Sequence, residues 1–192
     1  MIVSKYDPAD ASAKFKAIYD ANGGKKTSFT ISASQGKSYT AAEFFQGQFN
    51  QDGSGQCKAC QFKQYVDVSL QQVTTVQLVS NSTNGTYDAQ VWANLPLDPE
   101  PNLYSSFRSG VSTNFNRYSN SQVDAALDTG RTSLDLNSRK AAYRTFQQIW
   151  ADEQPSFMYA RVQQGYTFDS KVQDVRLFED GTALLDRIWL DR

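Results

Sequence analysis

Two periodicities take turns along the first half of this 192-residue chain, and that alternation restricts its fold more than any other feature. Phe29, Ile31 and Ala33 alternate with Ser28, Thr30, Ser32 and Ser34, the period of two that a strand requires. Segments with helical spacing flank it. Asp7-Pro8-Ala9-Asp10 combines an N-cap carboxylate, proline at the first helical position and an acidic first turn. Ala11, Phe15, Ile18 and Tyr19 then share one face, and Asn22-Gly23-Gly24 ends the helix. A second helix is expected from Thr40, with Glu43 as capping-box partner and Phe44, Phe45 and Phe49 turned inward. After a polar loop, Val66, Val68 and Leu70 alternate as a second strand, residues 74–79 read as a short helix, and residues 88–92 as a third strand. Strands separated by helices pair in parallel and carry helices on their faces. The expected class is α/β: a mixed, largely parallel sheet with helices on both faces.

The second half reads differently. Residues 95–120 are rich in Pro, Asn, Ser and aromatics, too irregular for a core element, and loops of that length in compact domains commonly carry function. Ser119 with Gln122 caps a helix that buries Val123, Ala126 and Leu127 and ends near Gly130. A longer helix runs from about Asn137, with Ala142, Phe146, Ile149 and Trp150 on its inner face, until Pro155 stops it. Residues 157–160 and 184–190 are candidate strands, the latter after the turn signal Glu179-Asp180-Gly181. Without a repeat or a composition break, residues 1–192 are expected to form one unit.

Composition excludes several chemistries. The chain has no histidine, which removes Ser-His-Asp and Cys-His nucleophiles, His-based zinc sites and imidazole acid-base work. Nineteen basic against twenty acidic residues, without a basic block, gives no footprint for nucleic acid. No apolar run is long enough for a direct membrane span, and residues 1–5 lead into Asp7-Pro8 without a signal peptide, as in a cytoplasmic protein or a mature or excised piece. Adjacent acids such as Asp98 with Glu100 and Asp152 with Glu153 fit solvated caps better than a glycosidase pair. Gly23-Gly24 ends a helix instead of opening one, so it is no phosphate loop. The sequons at Asn81 and Asn84 read as a turn before the third strand. Cys57-Lys58-Ala59-Cys60 lacks the second ligand pair of a zinc site. It remains either a thiol-disulfide motif or a local structural disulfide of an oxidising compartment. No cofactor is implied.

The richest stretch is Trp92-Ala93-Asn94-Leu95-Pro96-Leu97-Asp98-Pro99-Glu100-Pro101, followed by Phe107, Asn114-Phe115 and Tyr118-Ser119-Asn120-Ser121-Gln122-Val123-Asp124. An aromatic at the carboxyl end of a strand, leading into a proline-stiffened polar loop, is where open α/β sheets bind ligands; a packed Trp with a rigid connector is the plainer alternative.

This constellation resembles the family 5 extracellular solute-binding proteins of ABC importers, the group of dipeptide- and oligopeptide-binding proteins. Tyr6-Asp7-Pro8 is similar to the family's helix start, Tyr87-Asp88 through Trp92 to the strand before its ligand loop, and Asp98-Pro99 to the DP of that loop. Residues 114–124 are similar to its N-[FY]-x-x-Y-S-N-x-x-[VI]-D segment, and residues 135–155, with Arg139-Lys140 and Tyr143, to the helix that follows. The resemblance implies one lobe, the C-terminal one, of a two-lobed periplasmic-binding-protein type II architecture, cut from a larger protein. It implies solute captured between lobes, no catalysis, and an extracytoplasmic location, in the periplasm or lipid-anchored at the bacterial surface. The implied partners are a small solute or peptide, the N-terminal lobe and the permease subunits. The implied ligand-binding residues are Trp92, Asn94, Leu95 and Asp98, then Phe107, Asn114 and Tyr118. Leu95 stands where peptide-binding members commonly carry an Asp that pairs with the peptide's amino terminus, so an oligosaccharide or other amphipathic solute stays open. Two other classes remain beside it: a free-standing α/β protein-interaction domain using residues 95–120, and a thiol-disulfide oxidoreductase built on Cys57 and Cys60.

Overall fold

In the computed structural model, residues 6–92, 99–159, 166–178 and 182–191 are described. The expected α1 forms over Pro8–Ala21, with the Asp7 carboxylate accepting from the Asp10 amide. Its apolar face docks through Phe15, edge-on to Phe49 and Phe62, and through Tyr19 against Tyr65; Ile18, expected on the same face, stays exposed. Strand β1 (Thr27–Ser34) follows, then helix α2 (Lys37–Phe49), strand β2 (Val66–Val73), helix α3 (Thr75–Asn84) and strand β3 (Ala89–Gln90).

The sheet is parallel throughout in the order β2-β1-β3. The path steps from β1 to β2, then back across β1 to β3. Because right-handed crossovers in opposite directions lie on opposite sides of a sheet, α2 and α3 cover different faces. Side chains bear this out. Ile31, Ala33, Val66, Val68 and Val91 bury one face against Ala42, Phe45 and Phe49 of α2, while Ser82 of α3 meets Gln90 on the other. Ser32, between two covered faces, is as buried as its neighbours and donates to Gln71 of β2.

Several boundaries depart from the expected ones. Helix α2 begins at Lys37, not Thr40: Gly36, at φ 91°, turns the chain off β1 at once, and Thr40 donates its hydroxyl back to the Gly36 carbonyl instead of capping with Glu43. Phe44 consequently faces solvent, while Phe45 and Phe49 face inward. Helix α3 extends past residue 79 because Thr74 and Gln77 complete a capping box and Leu78 and Ser82 are buried; Asn81 and Asn84 therefore sit in its last turn, before the left-handed Gly85. Strand β3 is shorter than residues 88–92, since the Asp88 carboxylate, not its backbone, takes the Thr30 amide.

Residues 99–107 form α4 (Pro99–Phe107), which is broken at Glu100, where φ is -101° and ψ 139°, and helical beyond it, within what reads as irregular sequence. Leu103, Tyr104 and Phe107 pack on α5 (Ser121–Thr132) and α6 (Leu136–Glu153), a second core around Val123, Leu127 and Phe146. Burying Val123 and Leu127 completely stabilises this unit by about 1.5–3 kcal/mol each. The cap of α5 is Asn120, which accepts from the Gln122 and Val123 amides; Ser119 bonds Ser109 instead. Gly130 lies inside α5, where a Cβ would come within 2.7 Å of the Tyr143 ring. Asp135 starts α6, and left-handed Gln154 ends it before Pro155.

Residues 157–159 form no strand; Phe157 and Tyr159 lie edge-on to Phe45. Of residues 184–190 only β5 (Trp189–Leu190) is a strand, paired antiparallel with β4 (Val172–Gln173) in a ribbon apart from the main sheet. Residue 160 and the turn at 179–181 lie outside the described residues. None of the described helices is long and apolar enough to cross a membrane.

Candidate functional site

Trp92 sits just past the carboxyl end of β3, half-exposed at 42%. Its position follows from its neighbours. Val91 is buried, and its amide donates to the Ser32 carbonyl, which fixes the chain against β1. Two residues apart in an extended chain, Gln90 and Trp92 point to the same side, and the indole N–H donates to Gln90 Oε1 at 3.2 Å. That oxygen also accepts the Ser82 hydroxyl at 2.6 Å, while Gln90 Nε2 donates to the Leu78 carbonyl of α3. The indole thus presents an apolar face to solvent while its N–H is anchored through Gln90 to α3, an arrangement suited to an aromatic binding wall. Gln90 is absent from the sequence-based set. Its only signal is a polar residue in a strand whose neighbours are apolar, and its task exists only because α3 passes beneath β3.

Asn94, Leu95 and Asp98 lie outside the described residues. The other three each have structural partners of their own. Phe107 ends α4 inside the second core, its ring 5.5 Å from that of Phe146. Asn114 is buried and donates its amide to the carbonyls of Arg108 and Tyr118, at 3.2 and 2.8 Å, which staples the turn between α4 and α5. Tyr118 packs on the second core and donates its hydroxyl to Glu153, whose other oxygen accepts from Asn120. Desolvation, with the Glu153 carboxylate next, pushes the Tyr118 hydroxyl up to about 12. Burial likewise raises the hydroxyl of Tyr87, which donates to the Phe115 carbonyl.

Asn114 and Tyr118 line an open concavity of about 490 Å³ between the end of α3 and residues 109–119, whose wall mixes hydroxyls with the apolar surface of Val111 and Phe115. It meets the Trp92 network at Ser82, which lines it and bonds Gln90. Arg117 closes one side, donating to the Thr83 carbonyl and packing over Gly85, where a Cβ would overlap the guanidinium. Two sets of residues are therefore linked through Ser82: an aromatic side chain at the strand end and a mixed hollow between α3 and residues 109–119.

Cys57 and Cys60 are joined as a disulfide in the loop beneath α1. Ser12 of α1 donates to the Ala59 carbonyl and accepts from the Gln61 amide, and Phe62 follows on the core, so the pair is tied into the packing of α1. Among the described residues no group of three or more Asp, Glu or Cys is arranged to hold a metal ion.

No protein-family model matches the chain, and no curated protein matches it in sequence. Solved structures do match in fold. The oligopeptide-binding protein AppA from Bacillus subtilis, in complex with a nonapeptide, superposes with a TM-score of 0.73 over all of this chain and 39% of its own, at 21% identity. The pheromone receptor PrgZ, solved for its mode of peptide binding, gives 0.74 over 98% of this chain and 35% of its own, at 17% identity. A peptide-binding protein of a peptide ABC transporter gives 0.63 over 79% and 64%, at 21% identity. The mixed α/β fold is thus the one these peptide-binding proteins contain. The chain spans less than two thirds of the length of each of them.

Proposed function

We propose that this chain is the C-terminal lobe of an extracytoplasmic solute-binding protein of an ABC importer, of the family 5 type, and that it captures solute without chemical turnover. The observation that carries the reading is Trp92: a half-exposed indole at the carboxyl edge of a parallel sheet, held from behind by Gln90 and α3. Crevices at strand carboxyl ends are where open α/β sheets take ligands. The fold likeness to AppA, described in complex with a nonapeptide, and to PrgZ, described for its mode of peptide binding, supports the same use. Asn94, Leu95 and Asp98, next along the chain, complete the ligand-contacting set, while Phe107, Asn114 and Tyr118 support it by packing and stapling. A second lobe supplies the opposing wall, and closure on solute is a population shift driven by contacts to both. The closed form then docks on the permease. A peptide is the first ligand class to screen; Leu95 in place of a carboxylate keeps oligosaccharides in the screen.

Trp92→Ala in the two-lobed polypeptide tests this. With a short-peptide and oligosaccharide panel followed by calorimetry, the variant is expected to bind the selected solute about tenfold more weakly or worse, the scale of losing an aromatic hot spot. Unchanged affinity in a folded variant would remove Trp92 from the site and the reading with it.

A further inference from the structure

The pair Cys57 and Cys60 takes no part in the solute site, and its setting differs from that of an inert staple. The two sulfurs are unequally placed: Cys60 is buried at 3%, while Cys57 is only partly covered. An incoming thiolate therefore meets Cys57 first. The loop around them is shaped by bonds that owe nothing to the disulfide. The Asp52 carboxylate accepts from the amide and hydroxyl of Ser54, and Lys58 donates its ammonium to the Ser54 carbonyl at 2.9 Å. The Cys60 amide closes a turn on the Cys57 carbonyl, and Asp52 and Gln61 meet as an antiparallel bridge. Gly53, at φ 80°, packs so close that a Cβ there would come within 3.0 Å of the Lys58 carbonyl. The disulfide spans a sequence separation of only 3, so it adds little to loop closure. With the pair open, the turn keeps its shape and holds the two thiols side by side, ready to close again.

We propose that Cys57–Cys60 is a thiol-disulfide exchange site, attacked at Cys57 by an external dithiol, and that its redox state is passed to α1. A thiolate of the dithiol bonds to Cys57 Sγ, the Cys57–Cys60 bond breaks, and the electron pair leaves on Cys60 Sγ, which takes up a proton. The second thiol of the same reagent, deprotonated in turn, attacks the mixed disulfide. It releases Cys57 as a thiol and departs as a disulfide, so the reagent is oxidised by two electrons and the protein pair reduced by two. The route to α1 is short. Ser12 donates to the Ala59 carbonyl and accepts from the Gln61 amide, which grips the residues on either side of Cys60. Tyr6, next to the Asp7 cap of α1, holds its hydroxyl 3.8 Å from both sulfurs. Separation of the sulfurs acts on these contacts before any others.

Treating the native chain with dithiothreitol tests the proposal, with acid quenching, alkylation and mass spectrometry to count free thiols. The pair is expected to open fully without denaturant and to close again with oxidised glutathione. Throughout, β1 should keep its amide protection while α1 loses at least about tenfold of its own in the reduced state. Single variants read the asymmetry: Cys57 in Cys60→Ser should form its mixed disulfide with oxidised glutathione at least about tenfold faster than Cys60 does in Cys57→Ser. Ser12→Ala should leave the pair as readily reduced but make α1 exchange fast in both redox states. A pair that opens only in denaturant is a static staple and overturns the proposal. Equal reactivity of the two thiols removes Cys57 as the point of attack and overturns it too, and α1 protection indifferent to the redox state overturns the link to α1.

Discussion

At the scale of single residues, polar side chains do most of the positioning. Gln90 joins the Trp92 indole to α3, and Asn114 joins two carbonyls of one turn. Replacing Asn114 by Leu leaves both carbonyls short of a donor in a buried setting and is expected to cost about 1–3 kcal/mol in urea unfolding; a loss under about 0.5 kcal/mol would contradict the stapling role. Tyr118 gives a pH signature. Its native pKa, about 12, lies above the ordinary 10, so the neutral form is the one the fold favours. The stabilisation it gives is complete below pH 10 and disappears as the pH rises towards 12. Tyr118→Phe should flatten that alkaline limb, followed by thermal unfolding against pH. A phenolate titrating at the ordinary value in the native protein would contradict the contact with Glu153. Gly85 is needed for two reasons, its φ of 69° and the guanidinium of Arg117 above it. Gly85→Ala is expected to lose at least about 1–2 kcal/mol from the left-handed backbone alone, read by the same urea titration.

Among elements, how much the sequence reveals depends on whether the cause of an element is local. Helix α1 is legible because Asp7, Pro8 and Asn22 act on their own backbone, and β1 and β2 are legible because Phe29, Ile31, Val66 and Val68 alternate with polar neighbours. The start of α2 is not, since Gly36 sets it by backbone geometry without a side-chain cap. Nor is α4, where three turn-forming residues, Pro99, Pro101 and Asn102, mask a helix whose stability comes from packing Phe107 on α5 and α6. In the candidate site the place of Trp92 is readable as a strand end, but the core burial of Phe107 and the pairing of Tyr118 with Glu153 are tertiary outcomes. Two element-level tests follow. Thr74→Ala removes the α3 capping box and should cost about 1 kcal/mol. Reducing Cys57–Cys60 opens a loop of only four residues, for which loop entropy gives about 2 kcal/mol. The protein should therefore stay folded when reduced, with α1 the first helix to lose exchange protection, because Ser12 is hydrogen-bonded across that loop. Global unfolding on reduction would contradict this.

For the whole molecule, two cores account for the described fold. The sheet and its helices hold one, and α4, α5 and α6 hold the other. They are joined where Tyr87 donates to Phe115 and Arg117 donates to Thr83. The hollow lined by Asn114 and Tyr118 lies at this joint, and Ser82 on its rim bonds Gln90, which holds the exposed Trp92 indole. Half a cleft keeps half its contacts while the entropy cost of association is undiminished. The most direct measurement is therefore a calorimetric titration of one peptide, selected on the two-lobed polypeptide, against that polypeptide and against this chain alone. Submicromolar binding by the two lobes and none by this chain is the predicted result; submicromolar binding by this chain alone would contradict the half-cleft account.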